Sequence, residues 1–167
     1  MKLYIVRHAA AIERNAEVPE EQRYLTPEGR DLIRKTARTL LQKKVNPDLI
    51  LTSPLIRAVQ TADILAETLS YDGSLQVTDE LAPGFGMVAL RKVLDAFPTV
   101  QELVLVGHEP DLSQVISSLL SLPGGFNLKK GVGVKLVIDP AALQAPATLK
   151  WAAVGKKLLK PDEIVIG

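Results

Sequence analysis

The chain has 167 residues, 47% hydrophobic and 23% charged, which suits a single folded domain spanning 1–167 and excludes global disorder. Twenty Lys and Arg against nineteen Asp and Glu leave a net charge of +1, so neither a nucleic-acid-coating protein nor a polybasic membrane-binding one is expected. The absence of cysteine excludes a disulfide scaffold, a thiolate metal site and a cysteine nucleophile, and with two histidines in the chain no metal centre and no cofactor is expected.

Lys2-Leu3-Tyr4-Ile5-Val6 is apolar nearly throughout, as in a strand buried on both faces. It is far shorter than a secretory signal, and no other run approaches a membrane span, so a cytoplasmic protein is expected. Ala9 to Tyr24 lacks periodicity and reads as a long exposed loop of the kind that is often functional. Thr26 then suits a helix N-cap and Pro27 the first helical position. Leu32, Ile33, Thr36, Ala37, Leu40 and Leu41 follow at helical spacing, until Asn46-Pro47.

Leu49-Ile50-Leu51-Thr52 reads as a second buried strand, with Ser53 as N-cap and Pro54 in the first turn of a helix whose inner face runs from Ala58 to Leu69. Met87 to Phe97 suits a third helix and Glu102 to Gly107 a third strand. Asp111 then suits the cap of a fourth helix reaching about Leu120. Val132 to Ile138 and Leu149 to Val154 are further strands. This alternation predicts an α/β fold: a single-domain three-layer sandwich with a mostly parallel central sheet flanked by helices.

Polar residues fall where such a fold gathers its ligands. The first strand runs into Arg7-His8, the second into Thr52-Ser53-Pro54 with Arg57 one turn on, and the third into Gly107-His108-Glu109-Pro110. Ligand sites in open α/β sheets lie outside the carboxyl ends of the strands, so Arg7, His8, Arg57 and His108 are expected at one edge. Held together, four such groups repel one another and lose hydration unless an anion sits among them, and phosphate suits the planar fork of arginine.

No Gly-x-x-x-x-Gly-Lys-Ser/Thr loop, Gly-x-Gly-x-x-Gly turn or Gly-x-Ser-x-Gly elbow is present, which argues against P-loop, dinucleotide and common α/β-hydrolase readings. Asp111 and Glu109 do not make a convincing set for metal-assisted phosphate hydrolysis. What remains is a histidine acting as nucleophile on phosphorus, with cations stabilising the equatorial oxygens.

Val6-Arg7-His8, Ser53-Pro54-Leu55-Ile56-Arg57-Ala58-Val59-Gln60-Thr61-Ala62 and Gly107-His108-Glu109-Pro110, together with Leu25-Thr26-Pro27-Glu28-Gly29, resemble the motifs of the histidine phosphatase superfamily, the phosphoglycerate-mutase-like or RHG family. The short chain is similar to the SixA-type phosphohistidine phosphatases within it. The resemblance implies that His8 is the nucleophile that becomes phosphorylated and that Arg7, Arg57 and His108 form the phosphate pocket. It also makes Glu80 the candidate acid for the leaving group, with Asp79 beside it.

It further implies a metal-independent hydrolase acting on a phosphohistidine-bearing protein, such as a phosphorelay histidine-transfer domain, or on a small phosphate ester. Two alternatives stand beside this: a general small-molecule phosphomonoesterase of the same family, and a non-catalytic phosphate-binding module. The chain departs from the family at Ala9, where glycine is usual. If that position needs φ > 0, or lies against the phosphate, alanine is expected to reduce activity. With His8 neutral and His108 charged, a bell-shaped pH profile near neutrality is expected.

Overall fold

The computed structural model describes residues 1–164, so the last three residues of the expected domain lie outside the described ones. Seven strands form one mixed sheet in the order β3-β2-β4-β1-β5-β6-β7: β1 (Lys2–Arg7), β2 (Leu49–Thr52), β3 (Gln76–Val77), β4 (Glu102–Gly107), β5 (Val132–Val137), β6 (Thr148–Val154) and β7 (Lys157–Leu159). The first four run parallel to one another, while β1–β5, β5–β6 and β6–β7 pair antiparallel. The helices are α1 (Pro27–Gln42), α2 (Ile56–Thr68), α3 (Met87–Ala96) and α4 (Asp111–Leu120). Strands β3 and β7 escape the sequence reading because two and three residues are too few for a periodic signal.

The near-continuous apolar strands make sense once both faces of the sheet are covered. Leu3 and Ile5 of β1, with Leu103 and Leu105 of β4, point into a core shared with Leu90, Val93 and Leu94 of α3 and Leu112, Val115 and Ile116 of α4. Their neighbours Tyr4, Val6, Val104 and Val106 point the other way, against Ile33, Ala37 and Leu40 of α1 and Ala58, Ala62 and Leu65 of α2. This is the expected three-layer sandwich. Leu41 is the exception on α1, 47% exposed.

Helix α1 starts as its sequence predicts: the Thr26 hydroxyl accepts the Gly29 N–H at 3.0 Å, and Pro27 stands in the first turn. Gly29 is required by close approach, since a Cβ there would lie 2.2 Å from the Ala10 carbonyl oxygen. That contact presses α1 against the segment leaving His8.

Two other helix starts differ from expectation. Helix α2 begins at Ile56 with Leu55 as its uncapped N-cap, because the Ser53 hydroxyl is engaged by the Leu55 N–H at 3.2 Å and by His108. Asp111 lies inside the first turn of α4, and its carboxylate accepts the N–H of Gly84 at 2.7 Å. Gly84 sits at φ +106°, a conformation that favours glycine, so this bond anchors a tight turn beside the site.

Candidate active site

Strand register brings the motifs together. Arg7 pairs with Gly107 and Thr52 with Val106, so the chain leaves β1, β2 and β4 at one level of the sheet. The His8 N–H then donates to the Gly107 carbonyl at 3.2 Å and the Ser53 N–H to the Val106 carbonyl at 3.0 Å. His8 and His108 stand with ring centroids 5.1 Å apart, and with Arg7 and Arg57 they line a cavity of about 930 Å³. Residues about 50 to 100 positions apart in sequence thus share one hollow.

The partners of His8 define its hydrogens. Nδ1 lies 2.7 Å from the Ala9 carbonyl, which only accepts, so Nδ1 carries the proton. Nε2 receives the Arg57 Nε–H at 3.3 Å, so it carries the lone pair. Burial, helped by His108, Arg57 and Arg7, pushes the His8 imidazole from 6.5 down to about 3. Burial also takes His108 down to about 4, with Arg57 adding to the shift. Both rings are therefore neutral at neutral pH before an anion arrives. The expected bell-shaped profile rests on a charged His108, a charge that burial and Arg57 oppose.

Arg7 is fixed from behind, its Nη1–H donating to the Leu128 carbonyl at 3.0 Å. Arg7 Nε and His108 Nδ1 are buried with no partner among the described residues, and such groups at a cationic cavity suit an anionic ligand. Arg57 is held by a residue that sequence reasoning missed. Its Nη1–H donates to the Glu20 carbonyl at 2.8 Å and its Nη2–H to the Glu20 carboxylate at 3.0 Å. Glu20 also takes Arg14 and Arg23, which line the same cavity. The long loop before α1 thus folds back over the site, pinned where Ala11 pairs with Leu25. No periodicity marks Glu20 or Arg23; the only signal was the loop's length.

Glu80 is not brought to this group. It sits in a turn of 3₁₀ helix at Asp79–Leu81, where its carboxylate takes the Lys92 ammonium at 3.3 Å, and it does not line the cavity. The carboxylates that do line the cavity are Glu13, Glu20 and Glu109. Glu20 is held by three arginines, Glu109 accepts the Ser113 N–H at 3.1 Å, and Glu13 is exposed on the loop. Lys130, exposed on the loop before β5, also lines the cavity.

The Ala9 substitution is accommodated. Its φ is not positive, and its side chain is fully buried in the core beside α1 and α2 rather than lining the cavity. Its N–H donates to the Thr61 hydroxyl at 3.1 Å, and that hydroxyl donates to the Arg57 carbonyl at 2.7 Å. Thr61 therefore ties the His8 segment to the helix that carries Arg57. Among the described residues, no three His, Asp, Glu or Cys side chains are grouped to hold a metal ion, and no helix is long and apolar enough to cross a membrane.

This fold has counterparts among known proteins. Residues 3–84 match the family described as histidine phosphatase superfamily (branch 1). An uncharacterized protein of Picosynechococcus sp. (strain ATCC 27264 / PCC 7002 / PR-6) is 36% identical over 149 residues, covering 87% of this chain and 90% of its own. The phosphohistidine phosphatase SixA of Escherichia coli K12 is 29% identical over 121 residues, covering 71% and 74%. The solved structure of a protein histidine phosphatase SixA complexed with tungstate superposes with a TM-score of 0.81 at 23% identity, over 99% of this chain and all of the other. The chain belongs to the histidine phosphatase superfamily, and the enzyme class this supports is a phosphatase.

Proposed function

We propose that this chain removes phosphate from phosphohistidine on a protein, through a phosphohistidine intermediate on its own His8. The observation that carries the reading is the His8 ring: proton on Nδ1, lone pair on Nε2, and neutral because it is buried, in a cavity shared with two guanidinium groups and a second imidazole. That is an activated nucleophile beside donors for a phosphoryl group.

In the first step Nε2 attacks phosphorus. A new N–P bond forms, the bond from phosphorus to the substrate's ring nitrogen breaks, and the departing imidazole takes a proton from solvent. Arg7, Arg57 and His108 hold the equatorial oxygens. In the second step water attacks phosphorus, the bond to Nε2 breaks, and inorganic phosphate leaves with His8 restored.

The placement of Glu80 supports the phosphohistidine substrate. An imidazole leaves phosphorus readily once its ring nitrogen is protonated, whereas an alkoxide needs a strong, well-placed acid. The carboxylates at this cavity are tied to cations or a backbone N–H, or exposed. The likeness to SixA of Escherichia coli, named a phosphohistidine phosphatase, agrees with this.

The test combines a substrate panel with trapping. A phosphorylated histidine-transfer protein is expected to be turned over in preference to sugar phosphates, with labelled phosphate trapped on His8 after a rapid quench. His8→Ala is expected to abolish turnover and keep phosphate binding. Preferred turnover of the esters would favour the phosphomonoesterase, and phosphate binding without trapping would favour a binding module.

A further inference from the structure

To steady a phosphoryl group, His108 must offer a hydrogen. A neutral imidazole carries only one N–H, so the useful question is which nitrogen holds it. Ser53 decides this. Its side chain is fully buried, and its hydroxyl oxygen has two partners: the Leu55 N–H at 3.2 Å and His108 Nε2 at 2.7 Å.

The Leu55 N–H can only donate, so the serine oxygen accepts from it. The single hydroxyl hydrogen then has one place to go, the lone pair of His108 Nε2. With Nε2 accepting, the ring's own proton lies on Nδ1, the nitrogen that no group among the described residues engages. The reverse arrangement would bury the serine hydrogen without an acceptor and turn a lone pair, not a donor, towards an incoming anion. A buried hydroxyl without its partner is disfavoured.

We propose that Ser53 is a positioning residue that fixes His108 in the Nδ1–H tautomer, so that the pocket presents a neutral, preset donor to a phosphate oxygen. This rests on the phosphate-binding reading of the site. It removes the need for a charged imidazole: cationic help comes from Arg7 and Arg57, and His108 adds direction. Ser53 was expected from sequence only as a helix cap. Burial against His108 instead makes it the group that sets the proton's place on that ring.

The charged and titratable groups around His108 are Arg57, Asp111, Glu20 and Arg7, with the His8 ring against it. Burial keeps His108 at about 4, so the ring is neutral across the neutral range and its tautomer can be read there.

The chain has only two histidines, so long-range proton–nitrogen NMR on protein carrying isotopically labelled histidine reads both, with His8→Asn assigning the signals. The expected result is a proton on Nδ1 of His108 in the wild type and in Ser53→Thr, and a mixed or reversed tautomer in Ser53→Ala. The expected kcat is on the order of tenfold lower in Ser53→Ala and largely restored in Ser53→Thr. A wild-type His108 with its proton on Nε2 overturns the proposal, whether or not Ser53→Ala folds, and so does an unchanged tautomer in Ser53→Ala. Inorganic phosphate separates the two readings. A ring protonated on Nε2 that still responds to phosphate overturns the tautomer and leaves the pocket reading standing, whereas an Nδ1–H ring indifferent to phosphate overturns the donor role together with the reading of the pocket.

Discussion

Lowering the pH from about 7 to about 5 should destabilise this protein through its two buried imidazoles. An unfolded histidine titrates near 6.5, while in the fold His8 is held at about 3 and His108 at about 4. Between these values the unfolded chain binds protons that the folded chain does not, so stability falls as pH drops below about 6.5. At pH 5 an unfolded imidazole has been favoured over one and a half pH units, so each ring disfavours the fold by about 2 kcal/mol and the pair by roughly 4 kcal/mol.

This figure depends little on how far each ring is shifted, provided neither titrates above about 5 in the fold. It is also a large share of the roughly 5–15 kcal/mol that holds a typical domain together. Urea unfolding followed by circular dichroism across this range checks it. The expected result is a midpoint that falls steadily with pH, with about half the effect removed in His8→Asn and most of it in His8→Asn/His108→Asn. Saturating inorganic phosphate, bound to the folded pocket, should offset part of the loss. A flat profile in the wild type, or an equal slope in the double variant, would refute the reasoning.

Glu20→Gln removes the carboxylate that competes with phosphate for Arg57, so inhibition by inorganic phosphate should tighten by roughly fivefold, the equivalent of ~1 kcal/mol for a partly exposed pair; weaker inhibition would show that Glu20 supports the site instead. Ala9→Gly should leave kcat unchanged and lower stability by about 1 kcal/mol, since it deletes a buried methyl from a backbone position that glycine does not ease; a rise in kcat would mean that the methyl crowds the phosphate after all. Thr61→Val strips the acceptor from the buried Ala9 N–H and should cost about 2 kcal/mol in thermal or urea unfolding, with kcat falling as the His8 segment loosens; wild-type stability would place the Ala9 bond elsewhere.

The amino-acid sequence by itself determined the layers and the edge. Buried strands such as Leu3–Val6 and Leu103–Val106 are apolar on both faces, and only a sheet covered on both sides satisfies that pattern, so the sandwich could be read locally. Parallel strands also send their carboxyl ends one way, which puts Arg7, His8, Arg57 and His108 at one edge.

Tertiary structure decided what depends on through-space partners. Ser53 reads as a cap because cap geometry is local, yet its hydroxyl is directed to the ring that follows another strand, β4. Glu80 stands beside the right motif, but Lys92 of α3 draws it away, while Glu20 reaches Arg57 from a loop without periodicity. The proton inventory of His8 and His108 likewise depends on burial and on neighbours distant in sequence. Hydrophobic periodicity records which face is buried, whereas hydrogen bonds and charges depend on distance and direction in the folded chain.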